Sequence, residues 1–401
     1  MVRVLPPSEC AVFGPDELIK VGGRVTFIGP EHWVLADAFS HLTLAVQGVV
    51  SGASCAVGEL AQLTLERKNN QFWLRNVDHV SSGLEPSAST EFGRRAMSPR
   101  AQQLRARSRA KRAIHAYFEG QQFVEVDTPS VVPCPGLDAH VASWGAVAHR
   151  DRELFLITSP EFHMKRLLAS GLPNIYQLSH CFRAEELGAW HQPEFMMLEW
   201  YRAFSDWEAT MSDTEEVLRA SAQAIAHEST QQLLESPFER ITVSEAFATF
   251  GGEPDALDLA QVDENRYFEV LVDRVEPALS CYPRPLFLTH YPITQAALAK
   301  PSARDPQAAE RYELYFRGQE LCNGYTELTD AQVQRERFAQ ELARRTRTGE
   351  PLYPIDERFM SALREGLPPC SGNALGFDRM VATLLDLQRL GSVMAFTDDE
   401  V

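Results

Sequence analysis

The segment Cys181-Phe-Arg-Ala-Glu-Glu-Leu-Gly-Ala-Trp-His-Gln-Pro-Glu-Phe195, continuing Met-Met-Leu-Glu-Trp-Tyr201, constrains this chain more tightly than any other. It reads as two β-strands joined by a short polar loop. Side chains on a strand alternate between faces, so Arg183 and Glu185 fall together on the first strand. On the second, Phe195, Glu199 and Tyr201 share a face, while Leu198 and Trp200 point the other way. One sheet face thus carries an arginine, a flat aromatic ring and carboxylates beside a loop. The set suits a nucleoside triphosphate: a guanidinium for phosphate, a phenyl ring for the base, carboxylates for a metal or a cationic substrate. An ordinary amphipathic hairpin shows the same alternation, so the reading rests on which residues occupy the face.

A chain of 401 residues exceeds one small core, which makes two domains the expectation. The net charge of −17 argues against broad, nonspecific binding of nucleic acid but leaves room for a local basic patch. Cys10, Cys55, Cys134, Cys181, Cys281, Cys322 and Cys370 lie far apart and form no Cys-x-x-Cys pair. Neither a zinc site nor a disulfide framework is indicated, and free thiols in a reducing compartment are expected. The N-terminus has no charged start followed by an apolar run, and no stretch approaches a membrane span. A cytoplasmic protein without membrane contact is the expectation.

Residues 1–83 alternate in short β-like runs, such as Arg24-Val-Thr-Phe-Ile28 and His41-Leu-Thr-Leu-Ala-Val46, punctuated by glycines. They predict a small closed or partly closed all-β module, with Trp33 and Trp73 in its core. Residues 84–101, rich in Ser, Gly and Pro, read as a linker. The stretch from Arg94 to Arg112 is basic and contains no acid, with Leu104, Ala110, Ile114, Tyr117 and Phe118 near helical spacing. It predicts an amphipathic helix whose charges face either solvent or an acidic partner. Residues 206–280 turn helical and irregular, and read as an insertion packed on the main sheet.

Three further segments carry chemistry. Thr158-Ser-Pro-Glu-Phe-His-Met-Lys-Arg166 places a strand end against a helix start. In Glu313-Leu-Tyr-Phe-Arg-Gly-Gln-Glu-Leu-Cys-Asn-Gly-Tyr-Thr-Glu327, the Arg317-Gly318 pair predicts a hairpin turn that brings Glu313 and Glu320 close on facing strands. Paired carboxylates beside a triphosphate are what Mg²⁺ takes, since it binds few protein oxygens and completes its shell with phosphate. Cys370-Ser-Gly-Asn-Ala-Leu-Gly-Phe-Asp-Arg-Met380 predicts a glycine-punctuated strand running into a helix.

Phe-Arg-x-Glu, a short loop and His-x-x-x-Phe resemble motif 2 of class II aminoacyl-tRNA synthetases. Cys370–Met380 resembles motif 3, and the basic helix running into Gln122-Phe-Val-Glu-Val-Asp-Thr-Pro129 resembles motif 1, a dimer interface in that family. The resemblance implies an α+β fold, with an antiparallel sheet flanked by helices over residues 102–401. It implies Arg183 on the α-phosphate, His191 and Arg379 on the outer phosphates, and Phe195 on adenine. Glu185, Gln192, Glu320, Leu321 and Gly376 complete the implied ATP site, with Glu313 and Glu320 as Mg²⁺ ligands. Ser159, Glu161, Glu199, Tyr201, Asn323, Glu327 and Ala374 match substrate positions of the lysine branch. Several carboxylates around one small pocket repel an acidic substrate and favour one with two amines.

Ser159–Leu168, His191–Tyr201, Gly318–Asp330 and Cys370–Gly376 are similar, more narrowly, to the elongation factor P–lysine ligases. These enzymes activate lysine or β-lysine as an adenylate and pass it to a lysine of elongation factor P, without tRNA. The chain departs from the pattern at Ala184, usually Asn, and at Ala189-Trp190, where the loop usually carries an arginine. Lysyl-tRNA synthetases typically read Gly-Leu-Gly where this chain reads Ala374-Leu-Gly376. The N-terminal module resembles the OB-fold of the lysine, aspartate and asparagine synthetases, which keeps a lysyl-tRNA synthetase charging tRNA as the alternative. A non-catalytic amino-acid-binding paralogue is the third reading, against which Arg183, Glu185, Glu313, Glu320 and Arg379 stand intact. A homodimer is implied in the first two cases.

Overall fold

A computed structural model describes residues 3–12, 17–48, 50–87, 90–96, 98–137, 141–145, 147–149, 152–184 and 186–401. The chain divides into two compact units, Met1–Arg105 and Ala106–Val401. In the first, strand Leu18–Ile28 pairs with both His32–Ala36 and Leu60–Lys68, and Gln71–Ser81 pairs with both His41–Ala45 and Leu60–Lys68. With His32–Ala36 bonded to His41–Ala45, the strands close into a barrel of OB-like order. Alternation puts Val21, Val25, Leu35, Leu44, Leu63 and Leu65 inside. Asn69 and Asn70, at φ 49° and 61°, make the tight turn between the last two long strands. Trp33 packs against this core, whereas Trp73 stays half-buried outside it. Within the expected linker the chain forms a short helix, Glu91–Ala96, and begins α1 (Arg100–Gly120) at Arg100.

The second unit is built on an eight-stranded sheet. Its strands are β1 (Val124–Glu125), β2 (Asn174–Phe182), β3 (Glu194–Ala203), β4 (Glu239–Thr242), β5 (Leu286–Thr289), β6 (Arg311–Phe316), β7 (Gln319–Thr326) and β8 (Cys370–Gly376). They lie in the order β4-β5-β6-β7-β8-β3-β2-β1. The inner pairs are antiparallel, as expected. The outermost pair at each end, β4 with β5 and β1 with β2, is parallel, so the whole sheet is mixed. The segment 206–280 is less separate than its pattern implies: it contributes β4 to the sheet. Its first helix, α2 (Trp207–Ile225), is core material, with Val217, Leu218 and Ala222 fully buried.

Alternation on β3 decides which face does what. Leu198 and Trp200 enter the rear core with Ile114 and Phe118 of α1, Leu375 of β8, and Met380 and Val381 of helix Phe377–Leu384. Phe195, Met197, Glu199 and Tyr201 face the front. Strand register then aligns Glu199, Ala374, Asn323 and Glu313 in one row across β3, β8, β7 and β6. Cβ atoms so paired lie about 4.5–5.5 Å apart. Among the described residues no helix is long and apolar enough to cross a membrane.

Candidate active site

The front of the sheet borders a cavity of about 990 Å³, into which Arg183, His191, Phe195, Glu320, Ala374 and Arg379 all project. Strand β2 ends at Phe182, so Arg183 is the first residue of the loop and not part of the strand. Its N–H still donates to Pro193 O at 2.9 Å, which holds the side chain over the sheet. The guanidinium carbon lies 5.3 Å from the Phe195 ring centroid, and Nη1 is 3.7 Å from Glu186. Its Nε is buried with no partner among the described residues. An orphaned buried donor costs about 1–3 kcal/mol, a cost that an anionic ligand removes. Glu185 lies outside the described residues.

Arg379 Nη1 donates to the Glu320 carbonyl at 2.8 Å, and Nη2 donates to His191 Nε2 at 3.0 Å. Burial and the charge of Arg379 hold the His191 imidazole below its ordinary pKa, which keeps it neutral. Gln192 accepts from the Asp398 N–H at 2.9 Å. Gly376 ends β8 and caps the next helix; Leu321 borders the cavity and packs in the rear core.

At the other end, Ser159 Oγ donates to Glu199 at 2.6 Å and Tyr201 OH to the same carboxylate at 3.1 Å. Glu161 and Glu327 flank Lys165, each 2.5 Å from Nζ, and Tyr325 OH donates to Glu161 at 2.5 Å. Ser159, Glu161, Asn323 and Ala374 line the cavity, while Glu199, Tyr201 and Glu327 lie beneath its surface, at most 3% exposed. Gly372 makes this packing possible: a Cβ there would lie 2.3 Å from the Tyr201 ring and 2.8 Å from Glu327 Oε1. Burial, then Glu161, pushes the Glu199 carboxyl up to about 8. Burial also raises Glu327, to about 8, against the pull of Lys165.

Glu313 and Glu320 are brought to one hairpin, whose Arg317-Gly318 turn has φ of 50° and 75°. They are not directly opposite: a bulge between Leu314 and Tyr315 sets Glu320 against Tyr315 and Glu313 against Asn323. Glu313 is 2.5 Å from Arg311 and accepts from Tyr291 and Tyr315 at 2.5 and 2.8 Å. Burial and the charge of Glu313 push Glu320 up to about 7. A buried carboxyl held near neutrality by another carboxylate, beside an orphaned guanidinium, fits a cation that arrives with phosphate.

Lys165, Arg311, Tyr291 and Tyr325 were not foreseen. Two left a trace: Lys165 lies four residues after Glu161 on one helix, and Arg311 shares strand parity with Glu313. The two tyrosines left none.

The raised Glu199 has a consequence for stability. Unfolded, the carboxyl titrates near its ordinary 4.5; folded, it keeps its proton to about 8. Its stabilisation is complete below the lower value and is lost as pH rises through the upper one, at about 1.4 kcal/mol per pH unit. The unliganded protein should therefore lose Tm, relative to Glu199→Gln, between pH 5 and 8. A pH-independent difference between the two melting curves would remove Glu199 from this account.

A mixed sheet whose front face carries arginine and histidine at one end and carboxylates at the other is the arrangement expected of a class II tRNA synthetase catalytic domain. The family model for class II tRNA synthetases (D, K and N) matches residues 94–400. Proteus mirabilis (strain HI4320) has a relative named elongation factor P–(R)-beta-lysine ligase, 40% identical over 296 residues, covering 71% of this chain and 91% of that protein. Proteins of the same name in Erwinia tasmaniensis and Yersinia pestis (strain Pestoides F) are 40% and 38% identical over 299 and 300 residues. They span 71% of this chain and 92% and 91% of their own lengths. The chain belongs to the elongation factor P–(R)-β-lysine ligase family, and it is an ATP-dependent ligase.

Proposed function

We propose that the chain activates (R)-β-lysine with ATP and transfers it to a lysine side chain of elongation factor P. Charge count at the amino-acid end carries the reading. Glu161 and Glu327 flank one ammonium, Lys165, and Glu199 beside them carries a proton to about 8 in the unliganded pocket. Once the substrate's ammonium displaces that proton, three carboxylates against one lysine leave two negative charges for the two ammonium groups of lysine or β-lysine.

In this reading a carboxylate oxygen of the amino acid attacks the α-phosphorus of ATP in line. The bond to the bridging oxygen breaks, and pyrophosphate leaves with the electron pair. Arg183 takes the charge developing at the α-phosphate, Arg379 and His191 hold the outer phosphates, and Phe195 stacks on adenine. Mg²⁺ held by Glu313 and Glu320 with phosphate oxygens would draw charge off the leaving group. Catalysis is positioning and charge neutralisation, with no covalent enzyme intermediate. The ε-amine of the acceptor then attacks the adenylate carbonyl, AMP leaves, and an amide forms. Gln192, Leu321 and Gly376 shape the nucleotide end, to which Glu185 belongs by the resemblance of its motif. A homodimer through α1 and the strand after it belongs to the same proposal; Val124 on the open edge strand is exposed.

The barrel favours the second reading, with tRNA as acceptor. Labelled β-lysine, ATP and either acceptor separate the two: transfer to elongation factor P gives an amide that survives mild base, whereas tRNA gives a base-labile ester. Label should appear on the protein. Efficient charging of tRNA with none on elongation factor P would make the chain a short lysyl-tRNA synthetase.

Truncation tests the domain division. Every proposed chemical residue lies beyond position 150, so deleting residues 1–90 should leave adenylate formation and the dimer intact. A folded truncate that no longer activates the amino acid would place part of the site in the N-terminal module.

A further inference from the structure

Arg311 has no role in the scheme above, yet its guanidinium is among the most tightly held in the molecule. Nη2 meets Glu313 at 2.5 Å, Nη1 donates to Gln295 O at 2.6 Å, and Nε donates to Asn323 Oδ1 at 3.0 Å. The guanidinium carbon sits 4.3 Å from the Tyr291 ring centroid, and the Tyr291 hydroxyl donates to the same Glu313. Four groups on three separate segments are thereby fixed around one plane.

We propose that Arg311 is a positioning residue that locks the Asn323 side-chain amide with its NH₂ turned into the cavity, as the donor that receives the amino acid's carboxylate. Arginine has donors only, so the amide atom facing it must be the oxygen. The other end of the amide is therefore the nitrogen, and among the described residues none accepts from it. Asn323 lines the cavity between Ala374, whose side chain offers no polar atom, and Glu313, a carboxylate that repels the substrate's own. A fixed donor repels an ammonium group and accepts a carboxylate. The substrate's ammonium groups are drawn to the Glu161 end, so the row across the sheet orients the substrate with its reactive carboxylate toward Asn323 and the nucleotide. Lysine at 311 would keep the charge beside Glu313 but has no planar fork to reach Asn323 at the same time.

The inference rests on the proposed substrate, and the control is amino-acid-dependent pyrophosphate exchange by the parent enzyme with β-lysine. Absence of that exchange would overturn the functional reading itself. Given exchange, Arg311→Lys should raise the KM for β-lysine by about tenfold, the worth of one well-placed hydrogen bond. The affinity of a diamine that has no carboxylate to place should stay within about twofold in the same variant. Asn323→Asp keeps an oxygen for Arg311 and puts a second oxygen where the NH₂ stood, and it decides the matter even if Arg311→Lys does not fold. It should weaken β-lysine by about tenfold or more while leaving the affinity of cadaverine, a diamine with no carboxylate, unchanged or tighter. Equal weakening of both ligands, or a β-lysine KM unchanged in Asn323→Asp, would overturn the assignment.

Discussion

Arg183→Ala should slow exchange of pyrophosphate into ATP by about 10²–10³-fold, or roughly 3–4 kcal/mol, because it removes a donor aimed at charge that develops in the transition state. Stability should move the other way or not at all. Among the described residues the Nε of Arg183 is buried without a partner, and Glu186 lies 3.7 Å from its Nη1. Deleting such a group relieves a desolvation cost and leaves no buried partner stranded. A variant with parent-like Tm and collapsed exchange is the expected pair of results. Near-normal exchange by a folded Arg183→Ala protein would end the assignment of this residue to the α-phosphate.

Ala374→Gly should shift the choice between α-lysine and β-lysine toward α-lysine. Ala374 sits in the row between Glu199 and Asn323 and lines the cavity, so its methyl occupies the space between the ends proposed to take the amines and the carboxylate. With glycine there, as in lysyl-tRNA synthetases, an amine on the carbon next to the carboxylate gains room. A methyl-sized change in such a pocket is worth about 1–3 kcal/mol of discrimination. The ratio of kcat/KM values for the two amino acids is the measurement, and an unchanged ratio would place selectivity elsewhere.

Local patterns in this chain were legible because each encodes a short-range geometry. Period-two alternation placed Glu199 and Tyr201 opposite Leu198 and Trp200, and the Arg317-Gly318 turn was readable from its residues. The end of β2 before Arg183 was not, since a ladder stops where its partner stops, and the partner loop is irregular. The bulge that sets Glu313 against Asn323 was hidden for a related reason: one extra residue in a strand leaves no mark in composition. Lys165 shows in the sequence only its helical spacing from Glu161, because the second carboxylate that claims it, Glu327, lies just past the end of the distant strand β7. Strand β4 was lost inside a helical stretch, being only four residues long at the sheet's edge.

The opposed faces of β3 also limit how such a protein can change. Leu198 and Trp200 fill the rear core, and Glu199 and Tyr201 build the front. A single inserted or deleted residue between Phe195 and Tyr201 would exchange the two sets, sending an indole into the cavity and a carboxylate into the core. Descendants of this gene must therefore inherit the strand after His191 at constant length.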